Sequence, residues 1–127
     1  MANQSIDIQG QINLPNSSSN VFVQLTETRP ERVYYRINLI DAHLNTIHVV
    51  PEGVYAIPIK HDLQRSANEL KGYQMACVGI VGFAVAGSWD LDCQFLVDGS
   101  VVGKLGPGTL NGTQGDMCMF RFRATFA

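Results

Sequence analysis

At 127 residues and 13.9 kDa the chain has room for one domain, residues 1–127, and its 46% hydrophobic content can form a core without disulfide or metal staples. Only 16% of the residues are charged, against about 25% in an average soluble domain, and the nine Lys and Arg are scattered at a net charge of −2, which excludes the basic stripe that nucleic acid requires. The shortage of charge has two readings: a surface covered by another subunit, since interface cores are poor in charge, or a surface dressed with Ser, Thr, Asn and Gln.

The N-terminal MANQSIDIQGQINLP has neither a positive segment nor an apolar stretch of the kind a secretory signal carries, so the cytoplasm is the default expectation, with leaderless export left open. Along the chain the main signal is period-two alternation. Ile6, Ile8, Ile12 and Leu14 share one parity opposite Asp7, Gln9, Gln11 and Asn13, which predicts a half-buried strand, bulged at Gly10. PNSSSN (Pro15 to Asn20) then turns the chain. Val21, Val23 and Leu25 alternate with Gln24 and Thr26; after the TETRPER loop, Val33, Tyr35, Ile37 and Leu39 oppose Tyr34, Arg36 and Asn38. Two strands follow from these runs. Thr46 to Val50 and Val54 to Ile59 are expected as separate strands about Pro51-Glu52-Gly53, the second at a sheet edge, where the missing N–H of Pro58 costs nothing.

His61 to Gly72 (HDLQRSANELKG) is the one helix-compatible stretch, with Leu63, Ala67 and Leu70 at near-helical spacing and Gly72 as terminator. Met75 to Ala86 is apolar on both parities and carries Gly79 and Gly82. It predicts a central strand buried on both faces, or one approached closely by another backbone. The uncharged run Met75 to Gly87 falls short of the roughly 20 residues of a membrane-spanning helix and lacks the alternation of a bilayer-crossing strand. Trp89, Leu91, Cys93, Phe95 and Val97 alternate with Asp90, Asp92 and Gln94, and Asp98-Gly99 offers a tight turn into a strand over Ser100 to Leu105. A glycine-rich loop is expected over Gly106 to Asp116. The last run buries Cys118, Phe120, Phe122, Ala124 and Phe126 and exposes Met119, Arg121, Arg123 and Thr125.

About eight short strands with at most one short helix imply an all-β fold: an antiparallel β-sandwich, with a closed β-barrel as the alternative. The polar outer parities favour antiparallel over parallel pairing.

No catalytic constellation appears. Asp90 and Asp92 point to one face of a strand, where they could pair for calcium or acid/base work, but Arg121 and Arg123 have the same spacing and suggest instead a cross-strand ladder of opposite charges. His43, His48 and His61 form no ligand motif, and a metal at His43 would need a partner such as Asp41. Cys77, Cys93 and Cys118 form no C-x-x-C pair and are expected as free buried thiols, so neither metal nor cofactor is predicted. Asn16-Ser17-Ser18 and Asn111-Gly112-Thr113 match the glycosylation sequon by chance in a chain without a signal.

The expectation is a non-enzymatic module that binds a macromolecule, either a copy of itself or another protein. Asn111, Thr113, Gln114 and Asp116 of the long loop are its candidate binding residues, since polar loops on rigid sandwiches often carry binding. A lectin-like carbohydrate module is the alternative, weakened by an inward Trp89 and few outward aromatics (Tyr34, Tyr55, Tyr73). An enzyme with an unrecognised site is the second alternative, marked by a concave pocket holding a perturbed His or carboxylate.

Overall fold

The computed structural model describes residues 5–28 and 32–127. In chain order the strands are β1 (Ser5–Ile12), β2 (Asn20–Glu27), β3 (Arg32–Ile40), β4 (Thr46–Ala56) and β5 (His61–Ser66). A one-turn helix α1 (Ala67–Leu70) follows, then β6 (Gln74–Gly82), β7 (Gly87–Val97), β8 (Ser100–Gly112) and β9 (Met117–Phe126). They form a two-sheet sandwich, not a barrel: a five-stranded sheet in the order β1-β9-β6-β3-β4 and a four-stranded sheet in the order β5-β2-β7-β8. Pairing is antiparallel except between β1 and β9, which run parallel from Ser5 opposite Met119 to Ile12 opposite Phe126. None of the helices among the described residues is long and apolar enough to cross a membrane.

The core is the inward parity of both sheets. Val21, Val23 and Leu25 of β2, Val33 to Leu39 of β3, Trp89 to Val97 of β7 and Cys118 to Phe126 of β9 bury the alternating residues that the sequence marks as apolar. β6 is the third of five strands, as its uncharged run predicts. Gly79 on its inward parity is a close-approach position: a Cβ there would lie 2.4 Å from the Tyr34 carbonyl oxygen and 2.5 Å from Phe120 Cζ. The outward parity of β6 is covered differently from a strand sandwiched between two layers. Ala76, Val78 and Ile80 are half-buried by the side chains of neighbouring strands, with Arg36 and Arg121 flanking Val78 in register.

Four local expectations change in the structure. β1 pairs with β9 in unbroken register through Gly10 opposite Ala124, so the expected bulge is absent. Thr46 to Ala56 is one strand, because Pro51 and Glu52 are accommodated as a bulge opposite Arg36 on the edge strand β4, not as a turn. His61 to Gly72 divides into β5 and the single helical turn α1; Leu63, Ala67 and Leu70 are all buried, but on a strand followed by a turn. The Ser66–Glu69 capping box and Gly72 at φ +94° bound that turn. The predicted loop from Gly106 to Asp116 is strand as far as Gly112, since β8 stays paired with β7 through Leu91 opposite Gly108 and Gly87 opposite Gly112. Gly108 is there because β1 crosses over it: a Cβ would lie 2.6 Å from Ile8 Cδ1 and 2.7 Å from Ile6 Cδ1. Of the TETRPER loop, Arg29 to Glu31 lie outside the described residues. Asp98 and Gly99 form the expected tight turn, both with left-handed φ (52° and 79°).

Candidate functional site

The two outer faces of the sandwich differ in chemistry. On the four-stranded sheet the outward side chains satisfy one another. Gln24 Nε2 donates to Gln94 Oε1 at 2.9 Å, Thr26 Oγ1 donates to Asp92, Thr109 Oγ1 donates to Asp90 at 2.7 Å and Ser88 Oγ donates to Asn111. The outward apolar Phe22 and Leu96 are already half-buried and buried, which leaves Val101 at the hairpin end. This face matches the amide-and-hydroxyl reading of the low charge.

Asp90 and Asp92 share that face, as their spacing predicts, but the ladder with Arg121 and Arg123 does not form. β7 and β9 belong to different sheets, so the arginines cannot reach them. Both arginines instead meet Asp7, which parallel pairing of β1 sets beside β9: Arg121 Nη2 is 2.5 Å and Arg123 Nη2 3.2 Å from Asp7 Oδ2.

The outer face of the five-stranded sheet is apolar at one end. Register sets Ser5, Met119, Ile80, Tyr34 and Val54 side by side across all five strands. Met119 is 55% exposed, Val54 58% and Tyr34 40%, and Met117 continues the patch along β9 at 51%. The next row is Asp7, Arg121, Val78 and Arg36, with Glu52 beyond, 3.8 Å from Arg36. The third row is polar: Gln9, Arg123, Ala76, Asn38 and His48, where His48 Nδ1 lies 3.0 Å from Asn38 Oδ1.

Three shallow depressions lie in this face. One of about 340 Å³ is lined by Asp7, Val78, Met119 and Arg121, one of about 290 Å³ by Tyr34, Arg36, Glu52, Ile80 and Met119, and a more polar one of about 420 Å³ by Gln9, Gln74, Arg123 and Thr125. The charged groups on both flanks are electrostatically tied. The hydrogen bond from Arg121, and its charge with that of Arg123, hold the Asp7 carboxyl below its ordinary value. Desolvation, followed by the hydrogen bond and charge of Glu52, raises the Tyr34 phenol. An apolar centre carrying Met and Tyr, with ion pairs at its sides, has the composition of an interface core and rim.

Three of the four edge strands are blunted, β1 being the exception. β4 carries the bulge at Pro51, β8 a second bulge at Gly106-Pro107 opposite Asp92, and β5 is only six residues long. Such edges offer little continuous N–H and C=O for another strand to pair with.

Of the sequence-derived binding residues, Asn111 sits at the end of β8 beside Ser88, while Thr113, Gln114 and Asp116 lie in the four-residue connection to β9. Asp116 is buried, and its carboxylate accepts from the Thr113 amide at 2.8 Å and the Thr113 hydroxyl at 3.3 Å. The same turn is locked to Phe83: the Phe83 amide donates to the Asp116 carbonyl and the Gly115 amide to the Phe83 carbonyl. Thr113 and Asp116 therefore hold a tight turn together, with Asn111, Thr113 and Gln114 exposed and Asp116 buried.

The other chemical groups are structural in their surroundings. Tyr35 is buried, and its hydroxyl lies 2.6 Å from His61 Nε2, with the Tyr55 ring packed on both at 4.8 and 5.1 Å. Burial pushes His61 below its ordinary value and Tyr35 above it. The Asp41 carboxylate accepts the amides of His43 and Asn45 at 2.9 Å each, so it shapes the turn after β3. No group of three or more metal-ligating side chains occurs among the described residues. Cys77, Cys93 and Cys118 are buried and free, and burial pushes the Cys77 and Cys93 thiols well up.

Sequence reasoning passed over Tyr34, Val54 and Met119 as a site because each reads singly as an ordinary outward residue. Only the sheet order β9-β6-β3-β4 aligns them. The one local signal was the apolar outward parity of β6. No protein-family model matches the chain, and no curated protein matches it.

Proposed function

We propose that the protein is a non-enzymatic interaction module that engages a protein partner through the outer face of its five-stranded sheet. The observation that carries the reading is the row Met119, Ile80, Tyr34 and Val54, in which three exposed side chains and the half-buried Ile80 align across four neighbouring strands, whereas the exposed Leu44, Ile59, Val85 and Val101 stand apart from it. Exposed apolar patches rimmed by polar groups mark interaction sites. Its setting on five paired strands, not on a loop, supplies a surface whose backbone is already ordered before contact. Blunting of β4, β5 and β8 leaves β1 as the one regular edge, which favours a face over strand addition as the mode of contact. The depressions in this face hold no histidine, and the one perturbed carboxyl among them, Asp7, is held charged in ion pairs with Arg121 and Arg123, a state that suits an ion-paired rim better than a proton-transfer group.

The test is site-specific photo-cross-linking in the cells that make the protein. A photoreactive residue at Met119 is expected to give a discrete protein adduct, and one at Gln94 on the opposite face to give none. Adducts of equal yield from both positions, or none from Met119, would refute the reading.

A further inference from the structure

We infer that the occupant of this face is a second copy of the chain, related by a two-fold axis that lies in the interface plane, between the five-stranded sheets of the two copies, and runs across the strands, between the rows of Ile80 and Val78. The inference rests on the interaction reading above and names its partner.

Size is the first argument. Five strands about 4.8 Å apart and eight residues long give a face of about 24 Å by about 27 Å, or about 650 Å² before side-chain relief is counted. A standard stable interface buries about 800 Å² on each partner, so this face is of the size one subunit of a dimer presents. Low overall charge fits as well, because covering this face removes the need to solvate it.

Charge complementarity fixes the axis. Face-to-face packing of identical sheets requires a two-fold axis in the interface plane. An axis along the strands would bring the two flanks of the face together, setting Arg121 against the second copy's Arg36 and Asp7 against its Glu52. Those are two like-charge contacts in a partly desolvated setting, repeated twice by symmetry. An axis across the strands reverses each strand over its own copy. Met119 then meets Arg121 of the other copy, Ile80 meets Val78, Tyr34 meets Arg36, Val54 meets Glu52 and Ser5 meets Asp7. No like charges oppose, the apolar row caps the arginine stems, and the Arg36 guanidinium lies over the Tyr34 ring in cation–π contact. The twist of about −30° between packed sheets shifts the flanks and leaves the centre on β6, where Ala76, Val78 and Ile80 supply a small apolar contact.

The test is solution mass by light scattering coupled to size-exclusion chromatography, over a dilution series, with the full chain. The expected result is twice 13.9 kDa. Met119→Lys places an ammonium against the second copy's Arg121 and is expected to weaken the dimer by about a hundredfold or more, whereas Met119→Glu meets that guanidinium and stays within about tenfold of wild type. Val101→Lys on the opposite face changes the dissociation constant less than threefold, on the general finding that distant surface changes are neutral. Met119 is more than half exposed, so all three variants keep the wild-type circular dichroism and melting temperature. Equal loss with Lys and Glu overturns the axis, and a dimer insensitive to both overturns the face. A monomer at every concentration overturns the second copy. If Met119 then still cross-links to a different protein, the broader interaction reading stands; if it gives no adduct, both fall.

Discussion

Gly79→Ala tests the account of how the central strand is seated. The added Cβ would lie 2.4 Å from the Tyr34 carbonyl oxygen, 2.5 Å from Phe120 Cζ and 2.7 Å from Tyr35 Cβ. Two of these three atoms are fixed to the backbone of β3, so relief requires β3 and β6 to part, not a side chain to rotate. Overpacking of a core costs about 1–3 kcal/mol, and a clash with a backbone carbonyl belongs at the top of that range. Alanine returns about 0.4–1 kcal/mol by stiffening the unfolded chain, which leaves a net loss of about 2–2.5 kcal/mol. With an unfolding entropy of about 2.1 cal/mol/K per residue, that is a fall in Tm of roughly 8–9 °C for a chain of this length. In urea, an m-value of about 1.5 kcal/mol/M converts it to a midpoint shift of about 1.5 M. Gly53→Ala is the control, because a Cβ at Gly53 meets nothing closer than Tyr55 Oη at 3.6 Å. It is expected to be neutral or stabilising by a few tenths of a kcal/mol. Urea denaturation followed by Trp89 fluorescence reads both. A Gly79→Ala midpoint within about 0.3 M of wild type would show that the strands have room that the packing denies.

Burial holds His61 below its ordinary 6.5, so the unfolded chain binds the extra proton; stability from the neutral imidazole is full above 6.5 and declines as pH falls from there toward the folded-state pKa. The urea midpoint should therefore drop between about pH 7 and about pH 5, and the drop should be smaller in His61→Gln; identical slopes would remove His61 from the linkage. Asp7 is depressed by Arg121 and Arg123, so its contribution is present above 3.8 and is lost as pH falls through the folded value. Carboxyl-detected NMR titration should find Asp7 below 3.8, moving up toward it in Arg121→Gln, and an unchanged value in that variant would contradict the pairing. The buried Cys77 and Cys93, their thiols pushed up by desolvation, should react with a disulfide reagent only at the rate of unfolding. Rapid labelling of either in native buffer would contradict their burial.

The strands that the sequence announces are those whose cause is local. β2, β3, β7 and β9 show alternation because one parity faces the opposite sheet along their whole length, and Asp98-Gly99 forms its turn from its own backbone preference. What is not legible has causes elsewhere in the chain. Gly106 to Gly112 looks like a loop, yet Gly108 is small to receive Ile6 and Ile8 of a strand about a hundred residues away, a demand that leaves no periodic mark on β8 itself. Pro51 and Gly53 read as a turn, but an edge strand tolerates both in a bulge because only one of its sides must pair. The partner of Arg121 and Arg123 depends on sheet order: spacing made Asp90 and Asp92 eligible, and topology supplied Asp7. The candidate site is the extreme case, since its row exists only after four strands are placed in register.

The outward residues of β6 are the point at which folding stops explaining the sequence. The other strands show that outward positions accept polar side chains at no cost to the core: Gln24 and Thr26 on β2, Asp90 and Asp92 on β7, Asp7 and Gln9 on β1. Ala76, Val78 and Ile80 have the same kind of site, facing away from the core of the sandwich, and none of the three is polar. A Thr, Gln or Lys at any of them would still alternate correctly, and at position 78 the flanking Arg36 and Arg121 could pair with an acidic residue as readily as with Glu52 or Asp7. The fold therefore does not demand the apolar choice, and neither does the neighbouring chemistry. Intersubunit burial does demand it, because a polar group placed at the middle of a covered face must be matched or left unsatisfied, whereas one placed at its rim stays in water. The arrangement follows that rule: apolar at Ile80 and Val78 in the middle, ion pairs at Asp7 and Glu52 at the two sides.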